Sequence, residues 1–164
     1  MNIINLFFVV SINAYNLING VIPYQKNYYI SSKISDMHKL WITDAMDIIN
    51  PIKKLETQEY YNNNCIRIRY DTQRYTGFSD FEGYLNSDNT WLIDKINLGI
   101  NPNIQFYNAF VLIMVHELLH SIGCMHSDVF GSIMNTSLYV INDKVQDTEY
   151  PILHQDDIEC IQSV

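Results

Sequence analysis

His116-Glu117-Leu118-Leu119-His120-Ser121-Ile122-Gly123-Cys124-Met125-His126 is the stretch that decides how this chain is read. His116 and His120 stand four residues apart, and on a helix that spacing places both imidazoles on one face, a turn apart, close enough to share one metal ion. Gly123 then breaks the helix and lets the backbone reverse, which offers His126 as a third nitrogen ligand. Three protein ligands and one position left for water is the arrangement of a catalytic zinc, and Glu117, beside the first ligand, is placed to take that water's proton. At roughly 5% usage per residue type, these five positions coincide by accident in such a chain on the order of once in ten thousand. One zinc ion on His116, His120 and His126, with Glu117 as the catalytic base, is therefore expected.

Working outward, Asn101-Pro102 has the cap-then-proline form of a helix start, so the apolar run from Ile104 to Ile122 is predicted as the helix that carries the ligands. Ile34, Met37, Trp41, Ala45 and Ile48 recur at three- and four-residue steps between a Ser35 cap and an Asn50-Pro51 stop, which predicts a second amphipathic helix. Cys65-Ile66-Arg67-Ile68-Arg69-Tyr70 alternates at period two and reads as a strand, with both arginines on a solvated face. Residues 71–83 hold turn-formers and aromatics, and residues 90–96 suggest a further strand ending near Gly99. There is no repeat, low-complexity tract or interdomain linker.

The pattern His-Glu-x-x-His-x-x-Gly-x-x-His followed by Met134 resembles the metzincin clan of zinc endopeptidases. Ser127 after His126, and Met134 eight positions beyond His126, are similar to matrixins, as is the C-terminal run from Leu153 to Gln162. Asn19-Gly20-Val21-Ile22-Pro23-Tyr24 and Asn64-Cys65-Ile66-Arg67 look instead like astacins, and that resemblance implies a Cys65–Cys160 disulfide with Cys124 left as a buried thiol. The resemblance implies an α+β metzincin catalytic domain: an N-terminal twisted mixed sheet, two long helices, and a small irregular C-terminal subdomain ending in a helix. It further implies endopeptidic hydrolysis, with Gly123 supporting the site and Met134 flooring it beneath the histidines. Substrate would bind as an extra strand along an exposed sheet edge, with residues 90–98 as the candidate edge. Asp156 and Asp157 occupy positions that in matrixins hold the mature N-terminal ammonium and brace the Met-containing turn, although an acidic first turn is also what the helix dipole alone favours.

Departures from that pattern matter as well. Asn135-Thr136 stands where matrixins usually have Tyr-Pro, so the pocket wall beside the scissile bond must be built differently, with Leu138 and Tyr139 as candidates. Residues 77–96 lack the histidines of a second, structural zinc, and Asp80, Glu82, Asp88 and Asp94 are not at calcium-loop spacing, so a single zinc is expected and calcium has no motif to support it. The first cysteine, Cys65, lies in a predicted strand, so no zinc-blocking propeptide cysteine is expected and latency must come from elsewhere or be absent. His38 and His154 have no spaced partners and read as ordinary surface histidines. Asn135-Thr136-Ser137 is a formal glycosylation acceptor, but its place beside the Met-turn argues against modification.

The 164 residues suffice for one domain. A hydrophobic content of 48% against 17% charged residues excludes disorder as the main state. Ten Lys and Arg against 18 Asp and Glu give a net charge of −8 with no basic stripe, which excludes nucleic acid as a partner. Three cysteines without a Cys-x-x-Cys pair allow at most one disulfide within the chain. Residues 1–20 carry no charged side chain and contain the apolar run Ile3 to Ile12, which resembles a signal-peptide core; a buried first strand is the other reading. Asn13, Asn16 and Asn19 interrupt the run before the ~20 residues a spanning helix needs. The organisation expected is a leader over 1–20 and one catalytic domain over 21–164, divided into an upper part (21–123) and a lower part (124–164): a secreted monomer acting on a protein or peptide substrate, with no stable membrane insertion. Two alternatives remain open at this stage, a zinc-stabilised binding or structural protein without turnover and an intracellular peptidase that keeps Met1.

Overall fold

A helix that is apolar on every side has to be surrounded. In the computed structural model, which describes residues 20–21, 27–74, 76–88, 90–135, 140–141, 144–145 and 149–164, the ligand-bearing helix obeys that rule: every residue from Ala109 to Leu119 is buried. It runs from Tyr107 to Ser121, starting later than Asn101-Pro102 suggests. Asn101 closes a tight turn of its own, its Oδ1 accepting from Asn103 N (2.8 Å) and its main-chain O from Ile104 N (3.4 Å). An oxygen engaged there is not available to a helix several residues on, and the helix begins after Phe106 without a side-chain cap.

The chain order around it is β1 (Gly20–Val21), β2 (Tyr28–Ile30), α1 (Asp36–Ile49), β3 (Ile66–Tyr70), β4 (Gly77–Leu85), β5 (Trp91–Ile100), the ligand helix as α2, a hairpin of β6 (Val140–Ile141) with β7 (Lys144–Val145), and α3 (Gln155–Ser163). This is the mixed sheet, two long helices and terminal helix of the expected α+β architecture. The Ser35 cap and Asn50 stop of α1 stand as read from the sequence. α1 packs along α2, and both contribute to one core with Ile66, Ile68, Ile96, Leu98 and Ile100. Tyr28 Oη, buried with β2, donates to Ser121 Oγ (2.8 Å), which in turn donates to Leu118 O (2.7 Å), tying the sheet to the last turn of α2.

In the sheet, β2 pairs with β3, and β3 and β1 both pair with β5, all parallel. On its other side β5 carries β4, antiparallel along the whole of 77–85. Residues 90–98 are therefore an inner strand and not the exposed edge; among the described residues β4 is the edge on that side. The sequence hid β4 because its glycines lower strand propensity. Both have packing reasons: a Cβ at Gly83 would collide with Leu92 O across a register shift, and Gly77 meets α2 at the site described below.

Two further expectations need correction. The disulfide joins Cys124 to Cys160, with Cα atoms 5.8 Å apart, and Cys65 is the free, buried thiol. Gly123, at φ +111, turns the chain out of α2 so that Cys124 meets α3, whereas Cys65 Sγ is engaged by Asn62 O (3.0 Å) at the foot of β3. His38 is not a surface residue: it is 5% exposed, stacked on Phe110 (4.5 Å between ring centres) and hydrogen-bonded through Nδ1 to Tyr70 Oη (2.7 Å). Four residues from both Ile34 and Ile42, it lies on the apolar stripe of α1, a signal already present in the periodicity. His154 is exposed, and its ring caps α3 by accepting from Asp156 N (3.2 Å). Residues 1–19 of the expected leader, Leu138, Tyr139 and the rest of the Asn135 acceptor lie outside the described residues, as does any N-terminal partner of Asp156. Among the described residues no helix is long and apolar enough to cross a membrane.

Candidate metal centre and active site

The last turns of α2 carry His116, Glu117 and His120, and the chain returns through Gly123 to present His126. His116 Nδ1 lies 2.8 Å from Ile133 O and His120 Nδ1 lies 2.8 Å from Cys124 O. A carbonyl only accepts, so in both rings Nδ1 carries the proton and Nε2 is left with a lone pair. These lone pairs converge. His120 Nε2 is 3.1 Å from His116 Nε2 and 3.1 Å from His126 Nε2. Three nitrogens in tetrahedral positions at zinc–nitrogen bond length stand about 3.3 Å apart, so the cluster fits one such ion. Without a cation between them the facing lone pairs of His116 and His120 would repel, which makes the donor set itself the argument for a metal. Among the described residues this is the one group of three or more histidine, cysteine and carboxylate side chains close enough to hold an ion.

Burial sets the charge state of the cluster. Desolvation pushes His116 down to about 4, against a hydrogen bond to Ile133 that pulls the other way. His120 lies well below the ordinary imidazole value for the same reason, reinforced by its two neighbouring rings, and burial lowers half-buried His126 as well. All three are thus held neutral, the form in which imidazole ligates. Glu117 moves the opposite way. Its burial raises the carboxyl to about 7, opposed by a hydrogen bond from Ser79 and by the charge of Arg74.

The carbonyls that orient the rings are themselves fixed by α3. Asp157 is completely buried and accepts from Ser132 Oγ (2.6 Å), Ile133 N (3.0 Å), Met134 N (3.3 Å) and His154 N (2.8 Å). It therefore braces the turn around buried Met134, as the resemblance implied, and with it the Ile133 carbonyl behind His116. The Cys124–Cys160 disulfide ties the second carbonyl, behind His120, to the same helix.

The metal ligands, base and supporting residues expected from the sequence, His116, Glu117, His120, Gly123, His126 and Met134, lie in this one region, while the wall candidates Leu138 and Tyr139 fall outside the described residues. Sequence reasoning missed Gly77 and Ser79 on β4. Ser79 Oγ lies 2.6 Å from Glu117 Oε2, and a Cβ at Gly77 would stand 2.9 Å from Glu117 Cγ and Oε1. Neither residue belongs to a motif, and no periodicity marks them within a stretch read as turns.

Residues 21–164 match the family model of the matrixins. No curated protein matches the chain. Among solved structures, a similar one is high choriolytic enzyme 1, a hatching enzyme zinc-protease from the medaka fish Oryzias latipes, at 20% identity and a TM-score of 0.42. That alignment covers 76% of this chain and 55% of the medaka chain, so this chain spans about half of its length.

Proposed function

The chain belongs to the matrixin family, and from that premise we propose that it is a zinc-dependent endopeptidase whose metal is held by His116, His120 and His126. The observation that carries this reading is the convergence of three Nε2 atoms, those of His116 and His120 left unprotonated by their carbonyl-bonded Nδ1, next in sequence to a buried carboxylate. A zinc ion bound there supplies Lewis acidity, which activates water near neutral pH and polarises a peptide carbonyl. Glu117 accepts the water proton on its carboxylate and delivers it to the leaving amine, serving first as base and then as acid. Ile133 O and Cys124 O hold the ring planes of His116 and His120. Among the described residues β4 has no strand on its other side, and that side offers main-chain groups to an extended substrate, which would add a strand beside residues 77–85. The leader reading and the Cys124–Cys160 disulfide together support export to an oxidising compartment, where such bonds persist.

The test uses the full chain after zinc loading, with casein or gelatin as substrate. Stoichiometric zinc, cleavage abolished by chelator and restored by zinc, and a loss of at least about 100-fold in Glu117→Gln with zinc retained are expected. Zinc binding without cleavage would point to the binding or structural alternative, and Glu117→Gln cleaving at the wild-type rate would defeat the proposed role.

A further inference from the structure

A buried glutamate that moves protons needs its carboxylate held, because rotation about its last torsion swaps the oxygen that faces the water. Glu117 projects from α2 towards edge strand β4, and two residues of that strand meet it. Gly77 comes first: its missing side chain leaves the space that Glu117 Cγ, Oε1 and Ile113 Cγ2 fill, each 2.9 Å from where a Cβ would stand. Ser79, two residues on and therefore on the same side of the strand, directs its hydroxyl to Oε2 at 2.6 Å, with Glu117 O a longer 3.3 Å away. Among the described residues no other group donates to this carboxylate. The backbone that carries the hydroxyl is fixed in turn, since Ser79 is paired with Leu98 in the β4–β5 ladder.

We propose that Ser79 is a positioning residue for Glu117, its hydroxyl anchoring Oε2 so that Oε1 is the oxygen presented for proton transfer, with Gly77 providing the space. The inference rests on the reading of Glu117 as the proton carrier. A short hydrogen bond from a hydroxyl to a carboxylate is among the stronger kinds, and in a site with little water nothing else replaces it. The same strand edge would then do two jobs, since the main chain offered to substrate also carries the group that aims the base.

The experiment compares zinc-loaded wild type, Ser79→Ala and Ser79→Thr on one peptide that the wild type cleaves, alongside zinc affinity by chelator competition and a crystal structure of Ser79→Ala. Expected are a kcat about tenfold lower or worse in Ser79→Ala with KM within about twofold, recovery in Ser79→Thr, unchanged zinc affinity, and a Glu117 carboxylate that occupies more than one rotamer. The proposal is overturned by a kcat within about twofold of wild type, by a loss confined to KM, by a loss that threonine does not recover, by a parallel fall in zinc affinity, or by a single unmoved rotamer. A wild type that binds zinc and cleaves no peptide would defeat the endopeptidase reading itself, and the rotamer in Ser79→Ala would still decide whether Ser79 holds the carboxylate.

Discussion

Asp157→Asn changes one buried atom and should be felt at a histidine that Asp157 does not touch. The carboxylate is fully buried and takes four hydrogen bonds, two per oxygen: Ile133 N and His154 N on Oδ2, Ser132 Oγ and Met134 N on Oδ1. The least costly orientation of an asparagine keeps its oxygen at the Oδ2 position, because Ser132 can rotate its hydroxyl to accept from the amide and Met134 N still has Ser132 Oγ at 3.1 Å. Two bonds then drop from charge-assisted strength, about 1.5–3 kcal/mol, to neutral strength, about 0.5–1.5 kcal/mol, the Ser132 bond reverses, and the Met134 N bond to residue 157 is lost while its bond to Ser132 Oγ remains. The sum is a destabilisation of about 2–4 kcal/mol, a large part of the stability of an ordinary domain. Loosening the turn also frees the Ile133 carbonyl that orients His116, and an orienting partner of a metal ligand is worth about 10- to 100-fold in affinity. Urea unfolding of the metal-free protein reads the first effect, and chelator competition at neutral pH reads the second. Asp156→Asn, on the same helical turn, is the control and should change either quantity little. Zinc affinity within about twofold of wild type for Asp157→Asn would refute the claim that α3 orients the histidine through this turn.

Two other outcomes are expected. The Cys124–Cys160 bond closes a loop of 36 residues, so the double Cys→Ser variant should lose about 4 kcal/mol in urea unfolding, and a thiol reagent should find one reactive sulfur per oxidised chain, Cys65, only after denaturation. Tyr28, buried and held up to about 12 by desolvation, keeps its proton in the fold while the unfolded chain loses it near 10; its contribution to stability is therefore intact below pH 10 and falls as pH rises towards 12, by about 3 kcal/mol, a share that Tyr28→Phe should remove while that of Tyr107, also raised to about 12, remains.

The metal ligands were legible in the sequence because helical spacing, a glycine turn and imidazole chemistry are all local facts. α1 was legible for the same reason, with its cap, apolar stripe and stop all present in one short segment. What could not be read depends on residues that meet only after folding. Ser79 reaches Glu117 across 38 positions, and its strand was hidden by glycines that exist for contacts with Leu92 and α2. The disulfide failed differently. The resemblance to astacins supplied Cys65, whereas the partner is set by where the Gly123 turn aims Cys124. His38 was visible in the helical period and was missed by treating an isolated imidazole as solvent-facing.

α3 contributes no atom to the metal, yet through Asp157 and Cys160 it grips both loops that set the imidazole planes. Two of the three ligands consequently share one mechanical support. Their alignment is a collective property of α2, the two loops that follow it and α3, so undocking a single short helix would disarm the site while leaving every ligand in the sequence untouched.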